Sequence, residues 1–339
     1  MKRRHPSTNA QPRSVAFEAT DGVPLRGFVW RADDALAAAS PRPVVIVNAA
    51  TSVRCRYYFR FADYLCKSGR DVLLYDYRGI GESRPGRLAG FQASWLDWGG
   101  RDFEAALRYT TRAFAGQPID VVAHSIGGCL IGLAPSNTSI RRVVTVGAQY
   151  AYWRDYAPRS RLAMLLKWHV AMPALAGLFG YVPARRLGWM EDTPLGVAHS
   201  WARSRARFED TYRGAPFAID DARAAELARR FSFLRAPLLA ISTTDDPFGT
   251  VPAIERLLAY FEGSDERVHL RIDPSEIETE AIGHFAFFHS RFESRLWPIA
   301  LRWLDTASID GAAPGQMVSV SPPRERRVRS RVVEHSSAA

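Results

Sequence analysis

Cysteine is scarce in this chain: Cys55, Cys66 and Cys129 are the whole complement in 339 residues. They form no CxxC pair and show no metal-ligand spacing. That excludes a disulfide scaffold or a zinc ribbon and suits reduced thiols in a reducing compartment. Lysine is equally rare, 3 of the 45 basic residues, a skew that a GC-rich coding sequence produces. No grouping of His, Cys, Asp and Glu reads as a metal site, and no cofactor is expected. Uninterrupted hydrophobic runs are also missing. The longest, 162–182, is broken by Lys167, His169 and Pro173, so it makes a poor membrane span and a better buried or surface-hugging amphipathic helix. No apolar stretch of roughly 7–15 residues follows the basic start, so no secretory signal is expected and the expected location is cytoplasmic. Internal repeats and heptads are absent.

What is present is aromatic and apolar. With 47% hydrophobic residues, 9 Trp, 12 Tyr and 18 Phe, collagen, coiled coil and wholesale disorder are excluded. The formal charge is +10, but residues 1–13 carry +4 of it and residues 307–339 carry +2. Both ends are rich in Pro, Ser, Ala and Arg and cannot bury enough surface to offset their ordering entropy, so both are expected to be disordered tails. The remaining charge is ordinary for a globular domain, and nucleic acid is not an expected partner. Nothing in the composition sets an oligomeric state.

Between the ends, strand and helix signals alternate. Residues 14–19 and 25–30 read as a hairpin around Asp21-Gly22. The runs 43–48 (PVVIVN), 71–76 (DVLLYD), 119–124 (IDVVAH) and 141–148 (RRVVTVGA) are short and apolar, as strands buried on both faces are. Helical patterns at 57–67 and 102–114 fall between them. Such units predict a parallel sheet covered by helices with right-handed crossovers. The rhythm stops at 149–231, which has four Trp, helical stretches and no buried strand. It resumes with a strand at 236–243, a helix at 252–261, a strand at 268–272 and a helix at 294–305. An insertion between two strands of such a sheet is expected to lie over the C-terminal strand edges, where ligands bind. The expected division is therefore 1–13 tail, 14–148 first core part, 149–231 helical cap, 232–306 second core part and 307–339 tail.

The strongest chemical signal is VVAHSIGG, 121–128. A strand ends at Ala-His-Ser-Ile-Gly and passes straight into a helix, the nucleophile-elbow arrangement that exposes a serine on a strained turn. Ala123 and Gly127 meet its demand for small residues two before and two after Ser125. The Ile126 amide, at the helix N-terminus, is placed to donate to an oxyanion. Serine needs a base and an orienting acid. Of eight histidines, His284 in AIGHFAFFHS follows the last strand after a loop, where the third member of a Ser–Asp–His chain order falls; His289 is the fallback. The acid is expected just after the strand at 236–243, at Asp246, with neighbouring Asp245 as the alternative. The second oxyanion donor is expected in NAATSV, 48–53, at Ala50. Tyr150, Tyr152, Trp153 and Trp168, with Tyr181 and Trp189, are candidates to line an acyl or aromatic pocket; packing within the insertion is the competing explanation. Asp97, Trp98 and Asp102 read as structural pins, and GIGESR, 79–84, as a tight turn that lacks the third glycine of a dinucleotide loop.

Taken together, DYRGIGESRP (76–85), LDWGGRD (96–102), VAHSIGG, FGYVPARRLGW (179–189), STTDDP and IGHFAFFHSRFESRLW (282–297) resemble a branch of the α/β-hydrolase superfamily, predicted bacterial hydrolases without a defined substrate. The resemblance spans 14–305 and implies a mostly parallel, eight-stranded sheet with helices on both faces and a helical cap. It implies Ser125 as nucleophile, Asp246 as acid and His284 as base. The expected function is hydrolysis of a carboxylic ester or related acyl bond in a small-molecule substrate through an acyl-enzyme. Acyl transfer with the same three residues, and non-catalytic binding on the same scaffold, are the alternatives.

Overall fold

The computed structural model describes residues 11–33 and 41–320. The first hairpin pairs β1 (Arg13–Glu18) with β2 (Pro24–Trp30), and Gly22 takes the left-handed turn conformation at φ +78°. The apolar runs become β3 (Val44–Asn48), β4 (Asp71–Tyr75), β5 (Ile119–His124) and β6 (Ile140–Val146). Every residue of β3, β4 and β5 is buried, as strands covered on both faces require.

The long insertion holds a two-residue ladder, β7 (Tyr181–Val182) with β8 (Thr193–Pro194). The chain then returns through β9 (Leu238–Thr243) and β10 (Arg267–Ile272), and β11 (Gln316–Val318) follows near the end of the described chain. The main sheet runs β1-β2-β4-β3-β5-β6-β9-β10-β11. Strands β4 through β10 in that order are parallel neighbours, and the two ends are antiparallel.

The sheet has nine strands where eight were expected. The ninth, β11, pairs Met317 and Gln316 with Leu270 and Arg271 of β10. The expectation of a structureless segment from 307 therefore fails over Gln316–Val318. Of the other positions in the expected tails, 11–13, 307–315 and 319–320 are described and Arg13 opens β1, while 1–10 and 321–339 lie outside the described residues.

Chain order reverses across β3. Strand β4 lies on one side of it and β5 on the other, which opens a crevice at the carboxyl ends of β3 and β5. Fully buried Trp30, Trp98, Trp297 and Trp303 fill the layers beside the sheet. The sequence's structural pins act as expected. Trp98 Nε1 donates to the Arg78 carbonyl, Asp102 accepts from Arg78 Nε at 2.7 Å, and Asp97 closes a capping box with Ser94.

Between β6 and β9 the insertion carries a helix over Arg161–Phe179, wound as a π-helix over Leu165–Ala171. Helices Leu195–Ala202, Phe208–Thr211 and Asp221–Arg230 follow. Its start is anchored by Arg256, which bonds Asp155 through Nε and Nη2 at 2.5 and 3.0 Å, while Thr250 Oγ1 donates to the Asp155 carbonyl.

Candidate active site

Strand β5 ends at His124, and the chain turns so sharply into the helix Ile126–Leu133 that Ser125 sits at φ +55°, ψ −125°. A non-glycine residue held there stores on the order of 1–3 kcal/mol of strain. The turn is crowded: a Cβ on Gly127 would lie 2.6 Å from the Asn48 carbonyl oxygen. Glycine at 127 is therefore a steric requirement. The Ile126 amide is one of the first-turn N–H groups that an α-helix leaves without an internal acceptor.

Three expected residues, far apart in sequence, meet at the strand ends. Ser125 Oγ lies 2.9 Å from His284 Nε2, and His284 Nδ1 lies 2.7 Å from Asp246 Oδ2. All three side chains are nearly inaccessible. Burial by itself would raise the Asp246 carboxyl. The His284 charge and hydrogen bond, with backbone N–H groups of Gly249 and Phe248, outweigh it and hold the group below its ordinary value. Asp245 acts on the backbone instead. Its carboxylate accepts from the Ile282 and Gly283 amides, both at 2.8 Å, and so clamps the loop that carries His284. Tyr57 Oη clamps the same loop by donating to the Phe285 carbonyl. His289, the fallback base, is exposed and packs its ring against Tyr57.

The Ala50 amide is not available as expected. Its N–H donates to Tyr58 Oη at 2.9 Å. That oxygen lies 2.8 Å from His124 Nδ1, and His124 Nε2 lies 2.8 Å from the His284 carbonyl. With a neutral His124 ring only one proton arrangement satisfies this row. Tyr58 accepts from Ala50 and donates to Nδ1, so the other imidazole nitrogen carries the proton given to His284 O. Burial and the nearby His284 drive the His124 pKa down to about 3, consistent with a neutral ring. Spacing along NAATSV cannot reveal this, because the competing acceptor is brought in by the turn Cys55–Tyr58.

Above Ser125 lies a cavity of about 370 Å³. Ala50, Thr51 and Ile126 form its floor with Ser125 and His284. Trp168, Trp189, Trp201, Met164 and Lys167 from the insertion, with Phe248 and Phe285, form its walls. Trp168 and Trp201 stack with centroids 4.6 Å apart, and Lys167 Nζ sits 4.4 and 4.6 Å from the Trp168 and Trp189 rings. Of the six aromatic candidates Trp168 and Trp189 line the cavity, and Tyr181 pairs in the short β7–β8 ladder. Tyr150 is turned away to hydrogen-bond Thr211, Tyr152 lies under the Arg256 guanidinium, and Trp153 stacks with Arg154. Those three pack the insertion, the competing explanation.

A family model described as serine aminopeptidase, S33, matches residues 39–271. The chain belongs to the S33 family of α/β hydrolases. Several solved structures share its fold. An esterase from Pyrococcus furiosus is 15% identical with a TM-score of 0.53, covering 87% of this chain and 92% of its own. The esterase domain of a Rhodothermus marinus protein is 18% identical with a TM-score of 0.51, covering 86% and 98%. A soluble variant of the monoglyceride lipase from Saccharomyces cerevisiae, in complex with a substrate analog, is 14% identical with a TM-score of 0.56, covering 90% and 98%. No curated protein sequence matches the chain.

In this S33 hydrolase the sequence reading overlooked several cavity residues. Gln149 is buried and lines the cavity, and its Oε1 has no protein partner among the described residues. The available signal was its place as the first polar residue beyond β6. Trp201 and Phe248 carried none, because which face of a helix or loop meets the site is a tertiary fact.

Proposed function

We propose that this hydrolase cleaves carboxylic esters with apolar acyl groups, through an acyl-enzyme on Ser125. The observation that carries this reading is the line Ser125–His284–Asp246 opening into an apolar, indole-walled cavity. Ser125 Oγ attacks the ester carbonyl as its proton passes to His284 Nε2, and the carbonyl electrons move onto oxygen. Asp246 holds the imidazole in the tautomer that receives this proton and stabilises the imidazolium. The Ile126 N–H donates to the oxyanion; a donor of this kind is worth about 10²–10³ in rate. The carbon–oxygen bond breaks, His284 protonates the departing alkoxide, and water repeats the sequence on the acyl-enzyme. The insertion acts as a cap whose indoles hold the acyl chain and exclude bulk water.

A free amino terminus, the group that an aminopeptidase must hold, finds no carboxylate among the described residues that line this cavity; it finds Lys167. Partial burial already lowers the Lys167 pKa, and a second cation beside it would be repelled. Esters are favoured on that ground. Acyl transfer to an alcohol or thiol would use the same residues.

A fluorophosphonate probe is expected to label the wild type and to spare Ser125→Ala. Turnover of nitrophenyl esters is expected to exceed that of aminoacyl anilides. Absence of labelling, or equal labelling of the alanine variant, overturns the mechanism; preference for the anilides overturns the substrate class.

A further inference from the structure

The insertion helix Arg161–Phe179 has two apolar faces, and the fold buries only one of them. Met164, Trp168, Met172 and Ala176, four residues apart, face inward and are buried. Leu162, Leu166, Val170, Ala174 and Leu178, on the same spacing, are exposed; Leu162 is 68% accessible and Leu178 75%. This outer stripe runs about 24 Å along the helix axis and carries no charged residue. A helix apolar all round belongs in a core or in lipid. The helix is long and apolar enough to cross a membrane, yet only 22% of its apolar window is buried inside the domain. Because its other face is packed on the domain and lines the cavity through Met164, Lys167 and Trp168, it is held against the fold and can only lie flat on a surface.

Charge identifies that surface. From 156 to 190 the chain contains Arg159, Arg161, Lys167, Arg185 and Arg186 and no Asp or Glu. The acids just outside, Asp155, Glu191 and Asp192, are paired with Arg256, Arg54 and Arg84, and Arg185 lies 3.9 Å from Glu191. Arg159 and Arg161 stand at the start of the stripe, and Arg185 and Arg186 follow its end, beside exposed Leu187. An apolar stripe with cations at both ends is the pattern of a helix lying at an interface, its apolar face in the acyl boundary and its cations among anionic headgroups. A second copy of this chain is a poorer occupant, because a symmetric contact would set these same cations against one another. We propose that Arg161–Phe179 docks the protein on anionic lipid surfaces, with the mouth of the Ser125 cavity at the lipid. The substrate reached in this way is an acyl ester carried in the lipid layer. Docking itself stands independently of the ester reading, since it is measured without turnover.

The test is flotation of the full chain with phosphatidylcholine vesicles and with vesicles containing one part in four phosphatidylglycerol. Wild type is expected to float with the anionic vesicles. Partition should fall at least tenfold in Arg159→Gln/Arg185→Gln/Arg186→Gln, since each cation at such a surface contributes about fivefold. Leu162→Glu/Leu166→Glu/Val170→Glu should lose binding by a similar factor and retain its melting temperature and its turnover of a water-soluble short-chain ester. No flotation of the wild type overturns the proposal, as does equal flotation with both vesicle types. Undiminished binding by the glutamate variant overturns it too, assigning the affinity to the Arg-rich ends that every variant keeps. A wild-type dimer by light scattering that the glutamate variant dissolves assigns the face to a second copy instead.

Discussion

Ser125 was legible because everything that makes an elbow is local: a buried strand, two small flanking residues and a helix start lie within eight positions. Ala50 was not, because an amide's direction depends on what meets it, and Tyr58 meets it after a turn of chain. The row Ala50–Tyr58–His124–His284 ties the loop after β3 to the loop carrying His284. Tyr58→Phe leaves two buried partners unmatched and is expected to lower stability by about 2–3 kcal/mol in chemical denaturation. Because the Ala50 amide is already committed to Tyr58, kcat is not expected to fall; a loss of 10²-fold or more would show that the hydroxyl shapes the oxyanion site. His124 makes a pH prediction. Folding lowers its pKa from 6.5 to about 3, so the unfolded chain takes up this proton first as pH falls. The stability that His124 confers is complete above pH 6.5 and is lost progressively toward pH 3, with a slope approaching 1.4 kcal/mol per pH unit. His124→Gln should flatten the acid limb of unfolding free energy against pH between 6 and 4; an unchanged slope would exclude His124 as its source.

At the scale of elements, the order of strands and helices followed from apolar runs and their spacing. Which insertion side chains face the site did not, since Trp168 and Trp153 are both indoles of the insertion and only Trp168 lines the cavity. One loop, after β9, reaches the His284 segment twice. Asp246 orients His284, whereas Asp245 fixes the backbone two residues before it. Both aspartates follow β9; their place after the strand favours Asp246 over Asp245 without showing what Asp245 holds. Asp246→Asn is expected to reduce kcat by about 10²–10⁴ through the wrong imidazole tautomer. Asp245→Asn should cost roughly ten- to a hundredfold, through misplacement of the ring, and still permit fluorophosphonate labelling; equal losses would collapse the distinction. The insertion depends on a separate tie. Arg256→Met leaves the Asp155 carboxylate buried without its partner and should destabilise by about 3 kcal/mol. Its kcat/KM should fall more for long acyl esters than for acetate, because the cavity wall begins at Ser160, soon after Asp155, and continues to Trp168 along the same segment.

For the whole molecule, composition separated charge-rich ends from an ordinary domain, and the parallel sheet, its helices and its inserted segment followed. Composition placed the end of the folded unit too early. Gln316–Val318 is a three-residue strand in a stretch rich in Gly, Pro and Ser, too short to show periodicity, and only its pairing with β10 reveals it. That strand has a protective consequence. Without it, β10 would present an open row of backbone donors and acceptors, a template for intermolecular pairing. A chain cut at 306, as composition recommends, should keep its turnover per folded molecule and aggregate with time and concentration in light scattering, while a chain cut at 320 should stay monodisperse under the same conditions. Three residues with no part in the chemistry would then decide whether the protein can be kept in solution.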